Sequence, residues 1–338
     1  MIARLFILLP FSLQIPEGET FHVREYAEQR YLVRVFPPAK SDVPASADTA
    51  DEMTIDDRPA ISANALRVDF SKDEFDRRSS IDCDPSYELI TKTLNFFFSR
   101  LRYVTRSWRI RPIDFPTTTS WNLTYLNDDG TELVKQEGLV RGRGARAFSL
   151  QYIGLTSAIW ESVHDLPPDF EAPIWDALLL DAYGAPPEIG PAVVLATTAL
   201  EVFIAQILDA LAKTSALSPD LWKWINHRDG EWLREPSMNE QFDHLLKILS
   251  GYSLKEDGPL WEAFRNLRNA RNSFVHEGTA RVGRAPVSID QARQLLGKSM
   301  EIIAAIRKRL PEDLQWKTYE HRIKLEAKFR LIREKPAE

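Results

Sequence analysis

Near residue 164 the apolar residues of this chain change their spacing, and that change limits the fold more than any other feature. Before it they recur as short runs suited to strands: "RLFILL", "RYLVRVF", "ALRVDF", "SWRIRPI", "WNLTYL", "ELVKQEG" and "FSLQYIGL". After it they recur every three or four residues, as on the buried stripe of a helix. The expected fold class is therefore α+β. A β-rich N-terminal domain over 1–165 carries one long helix, and an all-α domain follows over 173–338. "HDLPPDFEAP" (164–173) is the expected linker, and a length of 338 residues suits two ordinary domains.

Within the first half, Asp84-Pro85 makes a cap and first-turn pair, after which Ile90, Leu94, Phe97, Phe98 and Leu101 keep helical spacing. "LNDDGTEL" predicts a hairpin turn. The polar, acidic, proline-broken stretch over 37–64 predicts a mobile loop. In the second half, helices are expected over 174–183, 191–213, 219–226, 238–249, 259–276, 289–310 and 312–333. Several starts are explicit: Ser218-Pro219 and Gly258-Pro259 put proline at the first helical position, and Ser288-x-x-Gln291 reads as a capping box. The N-terminal "MIARLFILLPFSLQIPEG" has one basic residue, an apolar run cut at Pro10 and no small-x-small cleavage pattern, so strands are expected rather than an export signal. No later stretch has roughly 18 uninterrupted apolar residues, so no membrane partner is expected.

Composition excludes several chemistries. A net charge of −6 argues against a general nucleic-acid coat, so phosphate binding would need local basic patches. Cys83 is the only cysteine, which rules out an internal disulfide and a thiolate cage and fits a reducing cytoplasm. His22, His164, His227, His244, His276 and His321 are scattered without a metal-ligand spacing, and neither a Walker sequence nor a complete G-x-G-x-x-G is present. No metal and no cofactor are expected.

Two arginine-rich stretches are candidate RNA contacts. "RLRYVTRSWRIR" carries Arg100, Arg102 and Arg106 beside Tyr103 and Trp108, and "RGRGAR" carries Arg141, Arg143 and Arg146 on a glycine-rich loop. Guanidiniums beside aromatic rings can hold phosphates while bases stack. The alternative is a solvated helix end and a hairpin tip. Trp222, Trp224 and Trp232 are expected to be core or interface anchors.

The most unusual stretch is "RNARNSFVHEG" (268–278). Counting about 100° per residue from Leu260, Phe264, Leu267, Phe274 and Val275 fall in one apolar arc, and Arg271 lies inside it at about 20°. Arg268, Asn272 and His276 line the adjoining flank at i, i+4 steps. An unpaired guanidinium in a sealed core would cost several kcal/mol. Arg271 must therefore meet a carboxylate such as Glu201 or Asp209, a second subunit, or a cleft open to an anion. His276 stands close to a helix end that Gly278 can cap.

"ARNSFVH" resembles the Arg-(polar)-x-x-x-His motif of HEPN domains, with Arg271, Asn272 and His276 on the defining positions. The long preceding helix, "TTALEVFIAQILDAL", is similar to the family helix that carries a Leu-Glu pair, here Leu200-Glu201. The closest likeness is to the Apea-like group, and it covers about 173–310. The resemblance implies a metal-independent endoribonuclease, without cofactor, that acts as a homodimer through its helical domain. His276 would exchange protons near neutral pH, Arg271 would hold phosphate oxygens with its planar fork, and Asn272 would orient one or the other. Glu201 and Arg268 would support them. It further implies a cytoplasmic, toxin-like phage-defence effector that cuts single-stranded RNA once its N-terminal domain senses a phage-derived or nucleotide activator. Members silenced by adenylylation carry tyrosine two residues after the histidine. Gly278 stands there, so that control is not expected. Two alternatives remain. One is a catalytically silent dimeric module whose N-terminal domain binds nucleic acid or a phage component, and the other is a toxin held by an antitoxin.

Overall fold

The computed structural model describes residues 1–40, 52–75, 84–117, 119–138, 153–226, 235–319 and 323–328. Contacts divide the chain into two compact units, Met1–Glu171 with the segment from Tyr319, and Ala172–Thr318. The first holds an antiparallel sheet with helices and the second is helical, so the fold is α+β.

In the first unit, β1 (Ile2–Pro16) is the central strand. It pairs antiparallel with β5 (Arg58–Ser71) on one side and β6 (Trp121–Leu126) on the other. β2 (Arg24–Glu28) pairs with β3 (Tyr31–Val35), β3 with β5, and β4 (Glu52–Ile55) with β5. β7 (Glu132–Gly138) pairs with β6, and β8 (Ile153–Gly154) runs parallel to β1. Alternation along β1 sends Ala3, Leu5 and Ile7 into the core. Burying side chains of the size of Leu5 and Ile7 contributes about 1.5–3 kcal/mol each. The inner face is covered by α1 (Tyr87–Thr105), where Phe98 meets Phe11 and Tyr87 meets Trp121 at ring distances of 5.7 and 5.9 Å. Ser86 caps α1 by accepting from the Leu89 N–H at 3.2 Å. The expected β6–β7 hairpin forms, and Gly130 takes the positive φ its turn requires.

Two strand and loop expectations change here. The stretch 37–64 is not a loop throughout: Glu52–Ile55 is β4, and β5 already begins at Arg58. Ile55 is fully buried, and that anchor, together with the tight turn at Asp56-Asp57, outweighs the acidic composition. Residues 41–51 lie outside the described set. "SWRIRPI" is not a strand either. Ile110 and Ile113 are buried, but the Asn95 side chain takes both backbone groups of Ile113, donating at 2.9 Å and accepting at 2.8 Å, and pins the segment to α1. A helix the spacing did not suggest, α2 (Ser157–His164), follows β8; Thr156 caps it and it buries Ile159, Trp160 and Val163.

The helical unit contains α3 (Ile174–Gly184), α4 (Ile189–Thr214) and α5 (Pro219–Asn226). The next stretch begins as α6 (Met238–Glu240), widens to a π-helical turn at Gln241–Leu245 and ends as α7 (Leu246–Ser250). Then come α8 (Gly258–Glu277), a hairpin of β9 (Arg281–Val282) and β10 (Ala285–Pro286), and α9 (Ile289–Arg307). α4, α8 and α9 pack on one another around Phe203, Phe264, Leu267, Leu296 and Ile302. By length and composition α4 could cross a membrane, but 56% of its apolar window is buried within this unit. Of the expected tryptophan anchors, Trp222 donates to Asp209 at 2.8 Å, Trp224 is 55% exposed rather than core, and Trp232 lies outside the described residues.

The expected helix over 312–333 does not form, and the helical domain does not run to 338. After a 3-10 turn at Glu312–Leu314, Trp316 wedges against Trp175 and Phe203 at 5.2 and 5.7 Å. Its carbonyl accepts from Arg307 Nε at 2.9 Å, which holds the chain extended. The chain then returns to the first unit as β11 (Leu325–Lys328), an antiparallel partner of β4.

Candidate active site

α8 is built for a fixed start and a fixed stop. Asp257 accepts from the Leu260 N–H at 3.2 Å, Pro259 occupies the first turn, and Gly278 ends the helix at φ 73° with its N–H on the Phe274 carbonyl at 2.8 Å. Leu260, Phe264, Leu267 and Ala270 are buried, whereas Val275 is 53% exposed and His276 is exposed. The apolar arc therefore leaves the core in its last two turns, where the motif lies.

Arg271 sits at that margin, half-buried, and its NH1 donates to Asn272 Oδ1 at 3.1 Å. Its Nε is buried without an acceptor, and among the described residues no carboxylate reaches it. Neither Glu201 nor Asp209 is its partner: Glu201 is half-buried on α4, and Asp209 accepts from Trp222. Arg268 is held by Asn239, NH1 to Oδ1 at 2.5 Å. Arg271 and His276 are five residues apart, so their directions diverge by about 140° around the helix. One helix does not by itself aim both into one pocket.

Two further features locate the motif. The Phe274 ring lies over Gly190 in the first turn of α4, where an added Cβ would come 2.0 Å from Cε2. Ser273 donates to the Ala270 carbonyl at 3.0 Å and accepts from the Arg281 N–H at 2.7 Å, tying the β9–β10 hairpin to α8. Sequence reasoning overlooked that hairpin, although Gly283 between two short extended pieces marks it. A groove of about 840 Å³ lined by Tyr252, Pro259, Lys308 and Arg309 is at the other end of α8 and includes neither Arg271 nor His276.

The N-terminal arginines fare differently. Arg100 is buried, not a nucleic-acid contact: its fork donates to the Leu166 carbonyl at 2.9 Å, to that of Pro167, and to that of Pro168 at 3.2 Å. Carbonyls of a Leu-Pro-Pro run have no strand or helix partner, and the arginine satisfies them. Phe96 stacks under the guanidinium at 3.9 Å, and burial pushes its pKa below the ordinary value. Arg102 is buried as well. Arg106 ends α1 in the left-handed region at φ 56°. Arg141, Arg143 and Arg146 lie outside the described residues.

No family model, curated protein or solved structure matches this chain.

Proposed function

We propose that this protein is a HEPN-type, metal-independent endoribonuclease that works as a cytoplasmic homodimer and cuts single-stranded RNA in phage defence. One observation carries the reading: a half-buried guanidinium, with no carboxylate partner among the described residues, stands at the end of α8, beside exposed Val275 and an exposed histidine. An uncompensated cation at the rim of an apolar surface suits an anion brought there by a second copy. The 140° divergence also favours pairing, because a two-fold axis lets Arg271 of one copy face His276 of the other. In the reaction the ribose 2′-oxygen attacks phosphorus as its proton passes to one imidazole. The bond to the 5′-oxygen breaks, and a second imidazole protonates the leaving oxygen. The products are a 2′,3′-cyclic phosphate and a 5′-hydroxyl. Arg271 holds the non-bridging oxygens throughout.

A second reading is favoured by a different observation. His276 makes no hydrogen bond among the described residues, and a group that fixes its tautomer would be expected beside an acid–base imidazole. A silent dimeric module would look the same. Incubation of labelled RNA with wild type and His276→Ala in EDTA separates them: turnover predicts cyclic-phosphate ends from wild type alone. Mixing wild type with an excess of His276→Ala should abolish that activity if the two copies share a pocket, because each mixed dimer keeps one motif imidazole of the two the reaction uses. Equal behaviour of wild type and His276→Ala, with RNA still bound, leaves the silent module.

A further inference from the structure

We propose that the β9–β10 hairpin is the phosphate grip of this site, with Arg281 and Arg284 holding the single-stranded RNA backbone beside the cleaved linkage. The inference takes its ligand from the ribonuclease reading and adds the element that binds it.

The local sequence is "GTARVGRAP", two arginines with no acidic residue between Gly278 and Pro286 in a chain whose net charge is −6. Val282 pairs with Ala285, so Gly283 and Arg284 form a two-residue turn. Gly283 alone takes a positive φ, 62°, as a II′-type turn requires of its first central residue. Arg284 is thereby placed at the tip, exposed, and no carboxylate pairs with it among the described residues. Arg281 lies one step back. Among the described residues its one carboxylate partner is Glu277, at 3.6 Å, a solvent-exposed pair of the kind that contributes little and that a phosphate can displace. Glu277 is the residue after His276, so Arg281 meets α8 in the turn that carries the motif histidine.

The hairpin is also fixed in place. Arg281 N–H bonds to Ser273 Oγ on α8, Val287 N–H bonds to the Ala280 carbonyl at 3.0 Å, and Ala280 and Val287 are both buried. Arg281 NH1 donates to the Arg284 carbonyl at 3.1 Å, which stiffens the turn from within. Two guanidiniums are therefore carried on a rigid arm attached to the helix that holds His276, as pre-organised phosphate binding needs. Such contacts give affinity without sequence preference.

The test uses the full-length chain with His276→Ala, which keeps RNA intact, and a fluorescent single-stranded oligoribonucleotide whose anisotropy is followed from about 50 to about 200 mM salt. Adding Arg284→Ala should weaken binding about tenfold at low salt. It should also lower the slope of log K against log salt by about 0.7, the value for one phosphate contact on a single strand. Arg284→Lys should keep most of the slope, and removing Arg281 as well should lower it by a similar further amount. Unchanged affinity and slope in Arg284→Ala would overturn the proposal, and so would a His276→Ala parent that binds no RNA. If the slope falls as expected but wild type yields no cyclic-phosphate ends, the grip stands and the nuclease reading alone is lost.

Discussion

Lowering the pH from 7 to 5 should destabilise the sheet unit by about 2 kcal/mol through one buried imidazole, His164. Its ring packs edge-on against Trp160 at 4.5 Å and over Phe97 at 6.1 Å, and Nε2 is buried without a partner. Burial, with the Arg24 and Arg100 guanidiniums adding repulsion, pushes its pKa from 6.5 down to about 3. The folded state thus holds the ring neutral while the unfolded chain takes up a proton below 6.5. Stability is complete above that value and falls with pH by about 1.4 kcal/mol per unit until the native pKa is reached. At pH 5 the loss depends on the unfolded value, so any native pKa below about 4 gives the same figure. Glu19 and Asp243, whose carboxyls are held below their ordinary values of 4.5 and 3.8, lose their contribution only at lower pH and scarcely enter this window. Urea unfolding at several pH values, for wild type and His164→Phe, measures the term as the difference between the two slopes. Parallel pH profiles in the two proteins would refute the reasoning.

Gly190→Ala should cost about 1–3 kcal/mol, seen as a lower Tm, because Phe274 occupies the space of the new methyl group. Arg100→Ala should destabilise the chain by about 1–3 kcal/mol, since it leaves the carbonyl of buried Leu166 unpaired, while RNA affinity in anisotropy assays stays at the wild-type value.

How much of this could be read from residues alone varies with the kind of signal. The change of period around residue 164 divides strands from helices, and the capping residues Ser288 and Gln291 place the start of α9. Proline and glycine fix both ends of α8. What could not be read depends on distant contacts. Arg100 looks like a surface cation until the Leu-Pro-Pro carbonyls it serves, more than sixty residues away, are brought to it. β4 and β11 are short and polar in composition, and their pairing, β11 with β4 and β4 with β5, makes them strands. Trp316 halts a helix that composition favours because three aromatic rings meet there. At the candidate site, the spacing located Arg271 and His276 on α8. It could not tell that the arc containing Arg271 emerges from the core, or that Ser273 tethers an arginine-bearing turn beside it.

Because the last strand rejoins the sheet, the helical unit is an insertion, joined to its host by two covalent connections. A protease that nicks either one leaves the halves attached, and both must be severed before they part. Every copy of the helical unit also carries its sheet at a strict one-to-one ratio, so neither half can be inherited or diluted without the other.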